Sequence, residues 1–335
     1  MATTTAPPEP AAPADIPPPS LRQRLLSGST LGPLAALIIA CAFFSLRTDR
    51  FLTGGNFSLI IQQVMVVGTL AIGQTLIILT AGIDLSCGML MSIGSIVMTK
   101  LAVDSEMNPY LAILCGLLVS TAFGFLNGAL ITRVKLPAFI VTLGTLNIAF
   151  AITQIYSKSQ TVSGLPEALE FFGRTFRVGQ TAVTYGTVLM LIMYLVAWFV
   201  LRDTAPGRHV YALGNNAEAT RLMGIDTARM LLVVYTLAGF VYGIAGLLLV
   251  ARTGVGDPQA GQTDNLDSIT AVVLGGTSLF GGRGNILGTL LGALIVGVFR
   301  NGLTLMGVAS VYQILITGIL VILAVTTDQL SRRKG

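Results

Sequence analysis

The sequence predicts an all-α integral membrane protein with about ten transmembrane helices in one membrane domain. Three observations lead there. Of 335 residues, 53% are hydrophobic and only 10% are charged, with a mean hydropathy of +0.80. Soluble domains carry about 25% charged residues, so this chain cannot cover a water-facing surface with polar groups. The apolar residues fall into blocks long enough to cross a bilayer as helices. Short polar segments separate those blocks, and they hold most of the lysines and arginines.

The chain opens with "MATTTAPPEPAAPADIPPPS", which is rich in Pro and Ala. It has no basic n-region and no apolar h-region, so it reads as a disordered tail over 1–20 rather than a cleavable signal peptide. The membrane domain then runs over 21–330, and a basic tail over 331–335 closes the chain. The expected spans are Leu31–Leu46, Leu59–Thr80, Leu85–Val103, Pro109–Ile131, Leu136–Tyr156, Val183–Leu201, Met230–Ala251, Ile269–Phe280, Ile286–Arg300 and Ala309–Val325. The third is expected to be broken near its start. The eighth is too short to cross alone, and is expected to be broken, re-entrant or extended into Asn265–Ser268. With the N-terminus in the cytoplasm, twelve basic residues fall inside and eight outside, as the positive-inside rule asks. Both termini are then cytoplasmic. A faint echo relates "GFLNGALIT", near Asn127, to "GVFRNGLTL", near Asn301. Inverted repeats of spans two to five and seven to ten would give such an echo, although chance similarity accounts for it equally well.

Net charge is +5, carried by loops rather than by a basic stripe interleaved with aromatics, so nucleic-acid binding is excluded. Cys41, Cys87 and Cys115 lie in apolar stretches and read as small buried hydrophobes. One histidine, His209, cannot build a His-based metal site. No Ser-His-Asp, Cys-His, paired-carboxylate or HExxH arrangement occurs, which argues against an intramembrane enzyme; neither a metal nor a cofactor is expected.

Four segments carry candidate functional residues. "AVVLGGTSLFGGRGNILGTLLGALIVG", residues 271–297, has eight glycines. No Gly-Lys pair occurs in the chain, so the run is not a P-loop. Gly284, Gly288 and Gly292 repeat every four residues and are expected on one helix face, where small residues let backbones approach closely. Gly275 and Gly276 precede them as structural or gating positions. "NNAEATRLMGID", residues 215–226, reads as a short helix in the polar loop 202–229. Asn215 is its expected cap, Glu218 the capping-box partner, Gly224 the C′ residue, and Asp226 the cap of the next span. Asp84 sits between two apolar blocks. It is either a cap on a broken helix or the ion site of a coupled transporter. The fifth span places Thr142, Thr145, Thr153 and Tyr156 on one face. Together with Asn147 and Gln154 they are polar enough to line a solute path, or to bond between helices. Asn127 and Gln74 are weaker candidates of the same kind.

"LDSITAVVLGGTSLFGGRGNILGTLLGALIVG" strongly resembles the signature of sugar-type ABC transporter permeases, the membrane subunits of ribose, xylose, arabinose and galactose importers. "TLIILTAGIDLSCGMLMSIG", "LPAFIVTLGTLNIAFAITQIYS" and "GRHVYALGNNAEATRLMGID" are similar to further motifs of that family, in order. The resemblance covers roughly Phe51 to Thr326. One departure is Asn265-Leu266-Asp267, where the family often has Glu-Leu-Asp; here the acid is shifted to Asp264. The resemblance implies a monosaccharide importer subunit in a bacterial inner membrane, working by alternating access. Its implied partners are a cytoplasmic ATPase subunit, a periplasmic sugar-binding protein and a second permease subunit in a homodimer or heterodimer. It also implies that the 215–226 helix couples to the ATPase, with Ala219, Leu222 and Met223 as apolar contacts and Glu218 and Arg221 setting register. A non-sugar solute (a signalling furanose, nucleoside or inositol) and an ion-coupled secondary transporter using Asp84 are the alternatives.

Overall fold

The computed structural model describes residues 28–333, so the expected N-terminal tail lies outside the described residues. Ser331–Arg333 of the expected basic tail continue the last helix. The fold is helical apart from one hairpin. In chain order the helices are α1 Gly28–Arg47, α2 Gly54–Leu79, α3 Cys87–Val103, α4 Pro109–Arg133 and α5 Ala138–Ser157. A short turn of helix, α6 Glu167–Glu170, leads into the hairpin of β1 Thr175–Val178 and β2 Thr181–Thr184, paired antiparallel. Then follow α7 Tyr185–Asp203, α8 Ala205–Asn215, α9 Ala217–Leu222, α10 Thr227–Thr253, α11 Asp264–Leu274, α12 Ile286–Leu305 and α13 Ser310–Arg333. Six of these, α2, α4, α5, α7, α10 and α12, are long and apolar enough to cross a membrane. The apolar parts of α1, α3 and α13 are shorter.

Local chemistry sets the helix starts. Thr53, Asn108, Thr184, Thr204, Asn216, Asp226 and Asn285 each accept a backbone N–H of the first turn with a side-chain oxygen. At Asn108 and Thr204 a proline in the first turn supplies a preset φ.

The eighth expected span is extended into Asn265–Ser268, one of the forms expected of it, and its far end is corrected. Its helix, α11, runs over Asp264–Leu274, starting earlier than Ile269 and stopping well before Phe280. Its 11 residues rise about 16 Å at 1.5 Å each, about half of the roughly 30 Å hydrocarbon core. The cause is the glycine run: Gly276, Gly281 and Gly282 all have positive φ and break the helix. The third span is also shortened, since α3 begins at Cys87 and leaves Thr80–Ser86 non-helical.

Helix packing falls into two sets of matching contacts. In one set, α3 packs on α4 and α5; in the other, α11 packs on α12 and α13. The long helices are exchanged between sets. α10 runs along α4, and α2 along α12, while α2 and α10 meet in the centre. The core is accordingly built from α2, α3, α10 and α12, with Tyr235, Tyr242, Leu79 and Leu90 among its fully buried side chains and Tyr194 entering it from α7.

The two ends of the bundle gather the loops as expected from the alternation of spans. At one end the hairpin sits on α2, where Ala182 N donates to Ser58 Oγ (2.7 Å), and Val162 bridges to Gly256. At the other, Gly282 N donates to Leu79 O (3.0 Å), beside the end of α8.

Candidate functional site

Four structural units hold the residues singled out above: the break before α3, the glycine loop before α12, the exposed helix α9 and the face of α5.

The break is built around Asp84, which is 1% exposed. Its carboxylate accepts Ser86 N (2.7 Å) and Ser86 Oγ (2.6 Å). Ser86, not Asp84, occupies the N-cap position of α3, and its own side chain makes no capping bond. Asp84 therefore closes the irregular segment as an Asx turn one step before the helix. Gln74 Nε2 donates to Asp84 O (2.9 Å), and Tyr242 Oη donates to Gln74 Oε1 (3.1 Å). Asn127 Nδ2 donates to Ser86 Oγ (3.1 Å). A continuous buried chain thus links α10, α2, the break and α4. Membrane interiors tolerate irregular backbone only where protein or water satisfies it, and this network does that. Gln74 and Asn127 belong to the break rather than to an open surface.

The glycine loop packs on α11 in antiparallel order. A Cβ at Gly284 would meet the Thr277 side chain; one at Gly288 would meet the Gly275 carbonyl; one at Gly292 would meet the Ala271 carbonyl. Gly284 lies before the Asn285 cap, so the expected single helical face holds only for Gly288 and Gly292. Close approach is nevertheless the shared feature of all three. Gly276, with φ +84, makes the turn that follows α11. Thr75 and Thr289 share a hydroxyl hydrogen bond of 2.9 Å, which joins α2 to α12 beside the loop.

The polar loop 202–229 contains two helices where one was expected. The preceding helix, α8, was legible in Thr204 as a cap with Pro206 behind it. Asn215 ends α8, and Asn216 caps α9, its Oδ1 accepting Ala219 N at 2.9 Å. The expected cap is thus displaced by one residue. Glu218 does not return to the cap: it takes a bidentate bond from Arg221, with Nη2 at 2.7 Å and Nε at 3.2 Å. That pairing holds the Glu218 carboxyl below its usual range and raises the Arg221 guanidinium. Gly224 has φ +84, as a C′ residue should, and Asp226 Oδ1 accepts Arg229 N at 2.9 Å. Leu222 and Met223 are 76% and 68% exposed. Two large apolar side chains stand in the open next to an ion pair, on a loop separated from the apolar spans.

On α5 the candidates divide. Thr142, Thr145 and Thr153 are buried, and α3 packs against this helix. Their hydroxyls bond carbonyls one turn back, Thr145 to Val141 O (3.1 Å) and Thr153 to Ala149 O (2.7 Å). Thr142 Oγ1 is also within 3.2 Å of Ile83 O in the break. Tyr156 lies off this buried face, its ring under Lys100 Nζ at 5.6 Å from the centroid. Asn147 is exposed, and Gln154 is partly buried with Nε2 on Pro258 O (2.9 Å). Sequence reasoning missed a charged cluster at the hairpin end: Arg300 Nη1 pairs with Asp267 (3.2 Å) and Asp264 (3.9 Å). No group of His, Cys, Asp and Glu suited to a metal occurs among the described residues.

The family described as branched-chain amino acid transport system / permease component matches residues 56–325. The chain belongs to this permease family. It is 44% identical over 319 residues to the fructose import permease protein of Rhizobium meliloti, covering 93% of this chain and 89% of that protein. It is 40% identical to the ribose import permease protein of Escherichia coli K12, over 88% of this chain and 92% of the relative. Identity to the D-allose transport system permease protein of the same organism is 36%, over 88% and 89%. The permease match spans the break, α5, α9 and the glycine loop together, so all four units lie within family sequence. A multi-pass membrane transport component, rather than an enzyme, is what both the family and the apolar helices give.

Proposed function

We propose that this permease is the membrane subunit of a bacterial ABC importer that carries a monosaccharide across the inner membrane. The relatives named as fructose, ribose and allose permeases support the solute class. Leu222 and Met223 are the observation that carries the partner assignment. An apolar pair left in water beside an ordered ion pair is what a groove on a separate ATPase would cover. Asn216, Glu218, Ala219, Arg221 and Gly224 shape that helix for docking. The termini and this loop face the cytoplasm, and the hairpin end faces the periplasm, where a sugar-binding protein delivers the solute. A second permease subunit completes the path, with the open side of α5 around Asn147 and Gln154 facing it.

In alternating access the permease performs no bond chemistry. It moves between an outward-open and an inward-open conformation, and the ATPase shifts the population between them through α9. The ion-coupled alternative using Asp84 is not favoured, because the two bonds from Ser86 N and Oγ give that carboxylate a structural task.

The test is co-purification of the tagged permease with its ATPase, with ATP hydrolysis read in the same sample. Wild type retains the ATPase, and Glu218→Lys, which turns the ion pair into a like-charge pair, releases or uncouples it. Recovery of wild type without any ATPase, together with sugar uptake driven by an ion gradient, would overturn the assignment.

A further inference from the structure

A cavity of about 210 Å³ lies where the start of α3, the middle of α5 and the loop entering α11 meet. Its wall is apolar on two sides, from Leu85 in the break, Met89 on α3 and Phe150 on α5. Three carboxamides complete it: Asn147, Gln262 and Asn265. No charged side chain lines it, and neighbouring Asp264 is turned to Arg300.

The carboxamides are not equivalent. Asn265 is spent on the wall, with Nδ2 on Leu85 O (3.2 Å) and Oδ1 accepting Leu266 N (2.8 Å). Asn147 gives one amide hydrogen to Leu143 O (3.0 Å), and Gln262 gives one to Gln259. Among the described residues, neither oxygen accepts a bond from the protein, and each amide keeps a second hydrogen. The backbone here is irregular on both sides of the cavity, at Thr80–Ser86 and around Gly261, which has φ +85. Irregular backbone at membrane depth belongs where it is buried in protein or lines an aqueous cavity.

From this we infer that the cavity is a solute-contact site for a neutral, polyhydroxylated molecule with one apolar face, in which Asn147 and Gln262 exchange hydrogen bonds with hydroxyls and Phe150 packs against the C–H face. A carboxamide both donates and accepts, which matches a hydroxyl, and it carries no charge to offset that of an ion. An anion would lack a positive partner, and a cation a carboxylate. The inference rests on the monosaccharide-importer reading and adds the residues that touch the sugar, among them Gln262, which no sequence motif marks.

The test uses the full permease with its ATPase and binding protein in proteoliposomes, comparing wild type, Asn147→Leu, Gln262→Leu and Phe150→Leu. Uptake of labelled ribose and fructose is read beside ATP hydrolysis stimulated by the binding protein. The expected result is a fall in uptake of about tenfold for each carboxamide variant, the size of one lost hydrogen bond, with stimulated hydrolysis within about twofold of wild type. Asn147→Gln restores part of the uptake. Unchanged uptake in both carboxamide variants, with wild type active, overturns the cavity assignment alone. A wild type that takes up neither sugar overturns the importer reading and this inference with it. Because Gln262 lies in an exposed turn, its variant keeps the ATPase bound even if a change on α5 disturbs packing.

Discussion

Gly292 of α12 lies so close to Ala271 of α11 that a Cβ on Gly292 would fall on the Ala271 carbonyl oxygen. The short helix α11 is held against α12 by this approach and by the same relation between Gly288 and Gly275. Gly292→Leu is therefore expected to lower the stability of the detergent-solubilised permease by about 1–3 kcal/mol or more, the usual cost of overpacking. Thermal unfolding followed by the loss of the monodisperse peak reads it. An unchanged midpoint would mean that the two helices are not in contact.

At the break, the substitution to compare is Asp84→Asn against Asp84→Leu. Asparagine keeps an oxygen for the N–H of Ser86, so ATP-driven uptake should fall no more than a few fold. Leucine leaves the buried Ser86 donors without an acceptor, at about 1–3 kcal/mol for an unsatisfied group. It should lower expression and thermal stability together. Uptake abolished by Asp84→Asn in a protein of normal stability would revive the ion-site reading.

Arg300 supplies the positive partner to Asp267, whose side chain is only 10% exposed, and lies near Asp264 as well. Arg300→Gln strands two carboxylates and should destabilise by more than the double variant Arg300→Gln, Asp267→Asn. A double-mutant cycle on thermal stability measures the difference, expected at about 0.5–3 kcal/mol for contacting residues. Strict additivity of the two changes would remove this ion pair as a tie between α11 and α12.

For α9 the expectation is the reverse, a functional loss without a structural one. Leu222→Ser and Met223→Ser alter exposed positions, where substitutions typically change stability by less than about 0.5 kcal/mol. ATPase recovery in pull-downs should nevertheless drop severalfold. Full recovery with both residues changed would move the docking surface elsewhere on the loop.

Much of this could be read from the residues because single side chains decide it. Apolar block lengths gave the spans, Asp226 and Gly224 gave the limits of the loop helix, and the absence of Gly-Lys removed a phosphate loop. The misreadings share a cause. Two adjacent asparagines, Asn215 and Asn216, are equally good caps in isolation, and only the unexpected helix α8 decides that the second one is used. Gly284 keeps the period of Gly288 and Gly292, yet the Asn285 cap starts the helix after it. The threonines of α5 share a face, but a face does not state whether it meets solute or another helix. Packing of α3 supplies that answer, and it is a long-range contact with no local signature. The Arg300–Asp267 pair spans 33 residues and was hidden for the same reason.

The exchange of long helices between the two packing sets has a consequence for how the chain matures. α4 has its most extensive neighbour in α10, and α2 lies on α12, so in each half a long helix finds a main packing partner only in the other half. As the chain emerges from the ribosome and enters the bilayer, the early helices insert with small-residue faces still open: Gly124 and Gly128 of α4 must wait for Gly239 and Leu232 of α10. Insertion and final assembly are therefore separate events. A chain truncated after α7 holds six of the apolar helices, α1 to α5 and α7, around unfilled grooves, and quality-control proteases would meet it as an intermediate, not as a smaller permease.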